Sequence, residues 1–423
     1  MTTNKRFFNI FNLTEAEAID LLDTPLNQLA EDESRYVAAS HLINFNTEAS
    51  INALMRAIAN NDPELDNRIV RRKSVETLGK LQAKQALLAI RTCLTESDCY
   101  TVENAVWAIG EIGTDDLSIL EEMTGLLEQP GQNHRVVIHT LRQLNYQPAL
   151  DRIRLLTDSP DESTASAAIS TVCLFTDDYT EMERVIALLL HPNRNARRAC
   201  IQDLIDTNYY PAIAAISKCP ESIVFRLRAV RALAEVGIDR GKLTFADIRP
   251  SLEAVIYDHP RDLELIHEYD KLPELSFAIR QLYETDFGLC YLATQTILDE
   301  FAEVAPAALF ATYEEEAYND YGAHYHIMKI IGWLKYTPGY DLLVEALNNR
   351  EPQFQKSRAA AALALGELGD MRAIPLLKAS LEGRIWDLKY AALMALEKLG
   401  DTTGREIVAN DDEPLIRARA ACI

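Results

Sequence analysis

Between positions 313 and 326 the sequence crowds together Tyr313, Tyr318, Asp320, Tyr321, His324, Tyr325 and His326, the densest gathering of proton-handling side chains in the chain. Phenol, imidazole and a shielded carboxyl can each act as general acid or base when their surroundings bring the pKa near the working pH. Tyr318, Asp320 and His324 are the candidates for that work. Asp320 has a competing role, because an aspartate just ahead of a helix accepts hydrogen bonds from the free N–H groups there. His324 and Tyr321 have one as packing residues. No metal is expected: His324 and His326 are two positions apart, so on a helix they point to different sides. Cys99 and Cys173 lie near turns with no adjacent base, and the sequence shows no Ser-His-Asp pattern, phosphate loop or Cys/His zinc set.

These side chains need a scaffold, and the chain announces one by repetition. In the stretch Tyr100–Gly113, residues Val102, Ala105, Val106, Ile109 and Ile112 fall at helical spacing and make one apolar face. Gly113 then ends the helix, since glycine enters the left-handed conformation freely. Variants return at Arg71–Gly79, Arg226–Ala234, Arg358–Gly369 and Lys389–Glu397. A helical unit returning every ~30 residues reads as a stacked array rather than a globule with one central core. Each unit needs two antiparallel helices, because one amphipathic helix cannot hide its apolar face alone.

Helix ends place turns at Asn46, Gln82, Gly113, Asn145, Thr207, Gly237, Lys335, Gly369 and Gly400. Thr14 with Glu17 forms a capping box, and Asn67, Asp98 and Asp320 are candidate caps. Pro130, Pro160, Pro192, Pro211, Pro220, Pro338 and Pro352 fall between helices. The pattern blurs at Cys173–Asp178 and again between Pro250 and Glu316. The fold class is all-α, an α/α superhelix curved around a concave groove. Residues 1–30 read as N-terminal cap helices, 31–410 as the repeat solenoid, and 411–423 as a C-terminal cap.

The 423 residues carry a net charge of -22, which repels phosphates and argues against nucleic acid as a partner. Seven cysteines, none in a Cys-x-x-Cys pair, suit reduced thiols. The N-terminal Met-Thr-Thr-Asn-Lys-Arg-Phe-Phe is too polar for a secretory signal, and no run of 18 apolar residues occurs. The expectation is a cytoplasmic protein with no membrane partner.

The Arg-x-x-Ala-Ala/Val-x-Ala-Leu-Gly-x-Leu/Ile-Gly pattern, running from about Glu33 to Asp401, resembles the HEAT-like repeats of bilin lyases. Glu103-Asn-Ala-Val-Trp-Ala-Ile-Gly-Glu-Ile-Gly and Tyr318-Asn-Asp-Tyr-Gly-Ala-His-Tyr-His326 narrow it. Together they resemble the E/F-type phycobilin lyases, and within them the single-chain branch that acts on phycoerythrin α subunits. That resemblance implies a HEAT-like solenoid holding a linear tetrapyrrole, phycoerythrobilin, on its concave face. It implies thioether attachment to a cysteine of the acceptor, with isomerisation to phycourobilin in some members. The pigment is substrate, and no cofactor is implied.

In repeats of this class the second helix of each unit lines the groove. Counting back from the glycine position of that helix, three residues earlier stand Glu76, Trp107, His139, Arg231, Lys329, Leu363 and Met394. Seven earlier stand Arg72, Glu103, Arg135, Leu227, Tyr325, Ala359 and Tyr390. The two rows neighbour each other on one helical face. A tryptophan beside an acid suits a flat conjugated ligand, the ring stacking and the carboxylate accepting from pyrrole N–H groups. Arginines suit its two propionates. The bilin-binding candidates are therefore Trp107, Glu103, Glu76, Arg72, Arg135, His139, Arg231, Tyr321 and Tyr325. For Trp107 and His139 a role between repeats stands equally, and Glu76 and Lys329 read also as solvated charges. Arg71, Arg226 and Arg358 match a ladder arginine that bonds turn carboxylates between repeats and are not assigned to the site.

The functional expectation is a phycobilin lyase, in its fuller form a lyase-isomerase with Tyr318, Asp320 or His324 moving the proton. The alternatives are a non-isomerising phycoerythrobilin lyase, or a non-enzymatic repeat scaffold or bilin chaperone.

Overall fold

The computed structural model describes residues 13–422. Residues 1–12 of the expected N-terminal cap and Ile423 of the expected C-terminal cap lie outside them. Among the described residues every regular element is a helix. The chain divides into two compact units, Met1–Met182 and Glu183–Ile423, just past the blurred Cys173–Asp178 stretch.

In the first unit short helices pair with longer ones: Glu48–Ala59 with Leu65–Lys80, Leu87–Thr92 with Cys99–Ile112, and Leu117–Gly125 with His134–Gln143. The second helices of successive pairs also pack on one another. The apolar face expected of Cys99–Ile112 is buried at Val102, Ala105, Val106, Ile109 and Ile112, so its pattern serves the core. Asp98 caps the helix by accepting from the Thr101 N–H at 3.2 Å. The Thr14–Glu17 capping box is formed. Asn67 is no cap; it lies within Leu65–Lys80 and accepts hydrogen bonds from Arg35 and Asn60.

The turn positions largely follow the sequence reading. Gln82, Gly113, Asn145, Lys335, Gly369 and Gly400 all have positive φ. Two differ. The left-handed residue near Thr207 is Asn208. Gly237 lies inside the helix Ile223–Asp239, and the turn falls at Gly241. A Cβ at 237 would stand 2.6 Å from Leu243 Cδ1, so a larger residue there would push that side chain aside.

In the second unit the pairs are Ile213–Lys218 with Ile223–Asp239, Leu275–Gln281 with Phe287–Glu300, and Ala305–Glu315 with Tyr321–Trp333. Tyr340–Asn348 with Gln355–Leu368, and Ile374–Leu381 with Trp386–Lys398, complete the series. The irregular region has a simple form. One helix, Phe245–Tyr257, stands outside the pairing, runs through Pro250, and packs against both Ile223–Asp239 and Trp386–Lys398. It therefore bridges repeats far apart in sequence. The ladder arginines bond turn carbonyls: Arg71 to Asn60 O (2.9 Å), Arg226 to Glu221 O (2.8 Å), and Arg358 to Leu347 O (2.8 Å). Among the described residues no helix is long and apolar enough to cross a membrane.

Candidate functional site

The second unit holds an open cavity of about 1050 Å³, ample for a ligand when ordinary clefts span about 300–1,000 Å³. One wall is the helix Ile223–Asp239, through Val224, Leu227, Arg228 and Arg231. The facing wall is the start of Trp386–Lys398, with Trp386 and Asp387. Phe287, Tyr321 and Lys356 close a third side, and Arg198 and Arg384 add cationic groups. A narrower pocket of about 30 Å³ is bounded by some of the same residues, Val224, Leu227, Lys356 and Asp387, together with Tyr325 and Lys329.

The chemistry of the lining is uneven. Trp386 is nearly buried, and its indole N–H has no hydrogen-bond partner. It packs on Tyr390, and the Arg231 guanidinium sits 4.7 Å from its ring centroid. Arg231 also pairs with Glu235 (2.6 Å) and Glu413 (2.8 Å). Burial pushes the Asp387 carboxyl above the usual range, opposed by a long hydrogen bond from Gln355 (3.4 Å) and by Arg231. Lys356 lies among three rings, with Phe287, Tyr321 and Tyr325 centroids 4.4, 4.9 and 4.8 Å from its ammonium. Loss of water lowers its pKa to about 8.

Behind Tyr325 the chain buries a charged hub. Asp258, at the end of Phe245–Tyr257 with φ 54°, accepts hydrogen bonds from Arg226, Tyr291 and Tyr325. Lys329 donates to the carbonyls of Ile256 (3.1 Å) and Tyr257 (2.5 Å), and burial lowers its pKa to about 8. The ladder arginine Arg226 thus ties the bridging helix to two repeats at once, and it holds the Tyr325 hydroxyl in place through the shared carboxylate.

Of the acid/base candidates, none faces the cavity. Tyr318 is exposed in the 3₁₀ turn Ala317–Asn319. Asp320 is spent as a cap, accepting from the N–H groups of Gly322 (2.9 Å) and Ala323 (2.7 Å). His324 is sealed beside Tyr313 and Phe354 with neither ring nitrogen bonded, and burial drives its pKa down to about 4. It is a neutral core residue.

Of the binding candidates, Arg231 and Tyr321 line the large cavity, and Tyr325 lines the narrow pocket. The others belong to the first unit, where several tie one repeat to the next. Arg72 makes a forked pair with Asp98, the cap of the next second helix (2.7 and 2.6 Å). Arg135 donates to Ser163 O at 2.7 Å. Trp107 packs against the core, its ring 3.0 Å from where a Cβ on Gly79 would stand. Glu76 pairs with Lys73 and Lys80 on its own helix. His139 Nδ1 lies 2.8 Å from Arg142 Nη2. Glu103 is half-buried and lines neither cavity.

Sequence reasoning missed Lys356, Trp386 and Asp387. The signal was present: Val224, Lys356 and Asp387 stand ten residues before the glycine position of their helices. That is one turn N-terminal of the two rows used. The tryptophan-plus-acid pair sought at Trp107 and Glu103 recurs here as adjacent residues, both on the cavity.

Residues 357–383 match the PBS lyase HEAT-like repeat family. A Pseudanabaena tenuis protein, uncharacterized phycocyanin operon protein Y, is 58% identical over 98% of this chain and 99% of its own length. Bilin biosynthesis protein CpeY of a Synechococcus species is 31% identical over 91% of this chain and 96% of its own. Among solved structures, the complex of CpcE and CpcF of phycocyanin lyase from Nostoc sp. aligns with a TM-score of 0.47 at 22% identity, over 58% of this chain and 95% of that one. The chain belongs to the E/F-type bilin lyase family of HEAT-like repeat proteins.

Proposed function

We propose that the chain is a phycobilin lyase that holds phycoerythrobilin in the cavity of its second unit while a cysteine of a phycoerythrin α subunit adds to the pigment. Family membership supports the reaction class. The site rests on one observation above all: an aromatic face, a shielded carboxyl and several cations meet on one cavity, at Trp386, Asp387, Arg231 and Lys356. The indole face suits stacking against conjugated rings. Asp387 suits pyrrole N–H donors, which would complete a carboxylate that has lost water. Arg228, Arg231 and Arg384 suit the propionates.

The nucleophile comes from the acceptor, so the lyase needs only to orient the pigment and manage one proton. The thiolate adds to the exocyclic carbon of the ring-A ethylidene, and the double-bond pair takes up a proton on the ring. Isomerisation to phycourobilin is the finer alternative. It asks for an acid and a base at the Tyr318, Asp320 and His324 positions, and those side chains face no common cavity. Attachment alone is the reading adopted.

The test is co-expression with a phycoerythrin α subunit and a phycoerythrobilin pathway, followed by mass and absorbance of the acceptor. Added mass of one bilin with the band of thioether-linked phycoerythrobilin supports attachment. A phycourobilin band supports the isomerase. Bilin bound to the chain without covalent loading of the acceptor makes it a chaperone, and no bilin binding at all makes it a protein scaffold.

A further inference from the structure

Lys356 is unusual in its surroundings. It begins the helix Gln355–Leu368 and borders both the open cavity and the narrow pocket. Phe287, Tyr321 and Tyr325 hold its ammonium among their rings, and it forms no ion pair among the described residues. A lysine kept only for stability would be expected to reach a carboxylate or the solvent. This one is instead positioned by ring faces, which attract a cation without taking its proton. Asp387, on another wall, borders the same two spaces.

We propose that Lys356 is the general acid of the attachment reaction, delivering the proton to ring A of the bilin as the acceptor thiolate adds. The proposal rests on the lyase reading. The carbon–sulfur bond forms at the exocyclic carbon of the ethylidene group. The former double-bond pair moves onto the ring, and the adjacent ring carbon takes the proton from the ammonium. The neutral amine regains a proton from solvent, which has received the one lost by the thiol. The net reaction is thiol plus alkene to thioether, and no other reactant is consumed.

The surroundings set the pH range. From the helix Phe287–Glu300, Cys290 faces the lysine. Its thiol, pushed up to about 12 by burial, stays neutral in this range; Asp258, from the end of the bridging helix, and Asp320, from the cap of Tyr321–Trp333, favour the charged form. His324, His326, Tyr321 and Tyr325 face it from that same helix. Both histidines have depressed pKa values and stay neutral. Burial outweighs the acids and leaves the lysine titrating at about 8, where a donor is both charged and willing to give up its proton.

The experiment uses the full chain, a phycoerythrin α subunit and phycoerythrobilin. Loading is followed at saturating bilin from about pH 6.5 to about 9.5, relative to uncatalysed addition to the same acceptor, which carries the thiol's own titration. Bilin binding is read separately from the visible band. The wild-type advantage is expected to fall above about pH 8, and Lys356→Met is expected to lose about 100-fold or more in rate while binding bilin nearly as well. Lys356→Arg, which cannot release its proton in this range, is expected to bind but to load slowly, with no fall near pH 8. Its pH profile decides the matter should the methionine variant fold poorly. An unchanged rate and profile in the variants overturns the proposal. So does weakened binding with unchanged turnover at saturation, which makes Lys356 a propionate anchor. A wild-type chain that neither binds nor loads bilin overturns the lyase reading instead.

Discussion

An ammonium that loses its water without gaining a carboxylate gives up its proton more easily, and two lysines in the second unit are so placed. Lys329 and Lys356 both titrate at about 8 in the folded chain, below the ordinary lysine value. Between about pH 8 and about 10.5 the unfolded chain binds more protons at these sites than the folded one, so stability rises with pH there. Each group contributes up to about 1.4 kcal/mol per pH unit. The buried thiols of Cys93, Cys173, Cys219 and Cys290, pushed up to about 11 or 12, act in the opposite sense above about pH 8.5, so the lysine contribution is read as a difference. In urea denaturation from about pH 7.5 to about 9.5 the stability of the wild type relative to Lys356→Met should climb, and a constant difference counts against a lowered Lys356. Asp258 presents the opposite case, a carboxylate whose partners are all in place. Asp258→Asn leaves Arg226 buried and unpaired, and should cost about 3–5 kcal/mol in the same assay.

At the scale of the element, glycines set how closely second helices approach. A Cβ on Gly332 would stand 2.6 Å from Ala364 Cα, and one on Gly366 would stand 2.8 Å from Ala395 Cα. The clash is with backbone and cannot be relieved by turning a side chain. Gly332→Ala should cost about 1–3 kcal/mol. It should also weaken bilin binding, because the displaced helix, Gln355–Leu368, begins on the cavity wall at Gln355. Alanine at the left-handed Gly369 (φ 73°) should cost about 1 kcal/mol through the backbone alone and leave bilin binding unchanged. Comparing the two in denaturation and in bilin titration separates packing from turn geometry.

At the scale of the whole molecule, charge is distributed against the average. The chain carries -22 overall, yet one cavity is lined by five cations, Arg198, Arg228, Arg231, Arg384 and Lys356, against three acids, Glu235, Asp387 and Glu413. A ligand with two carboxylates would be drawn there by an interaction that salt screens. Bilin affinity should fall as salt rises from about 0.05 to 0.5 M. Arg384→Glu should weaken binding by about tenfold at low salt and by less at high salt, read from the visible band. Equal affinity at both ionic strengths would assign the binding to stacking on Trp386.

The repeat, its helix pairs, most turns and the ladder arginines were legible in the sequence, because each depends on contacts a few residues apart: helical spacing, a cap, a left-handed residue. Part of the site was legible for the same reason, since Arg231 and Tyr325 fall on rows that follow from helix geometry. What the sequence left undecided was which rows meet. The bridging helix Phe245–Tyr257 obeys no repeat, and it joins Asp258 to Arg226, Tyr291 and Tyr325 across many positions of chain. Lys356 looks like any surface lysine until Phe287, Tyr321 and Tyr325 close around it. His324 looks like a proton carrier until Tyr313 and Phe354 seal it away. Burial and the choice of partner come from packing between distant segments, so the tertiary structure alone decided which of these groups remains available for chemistry.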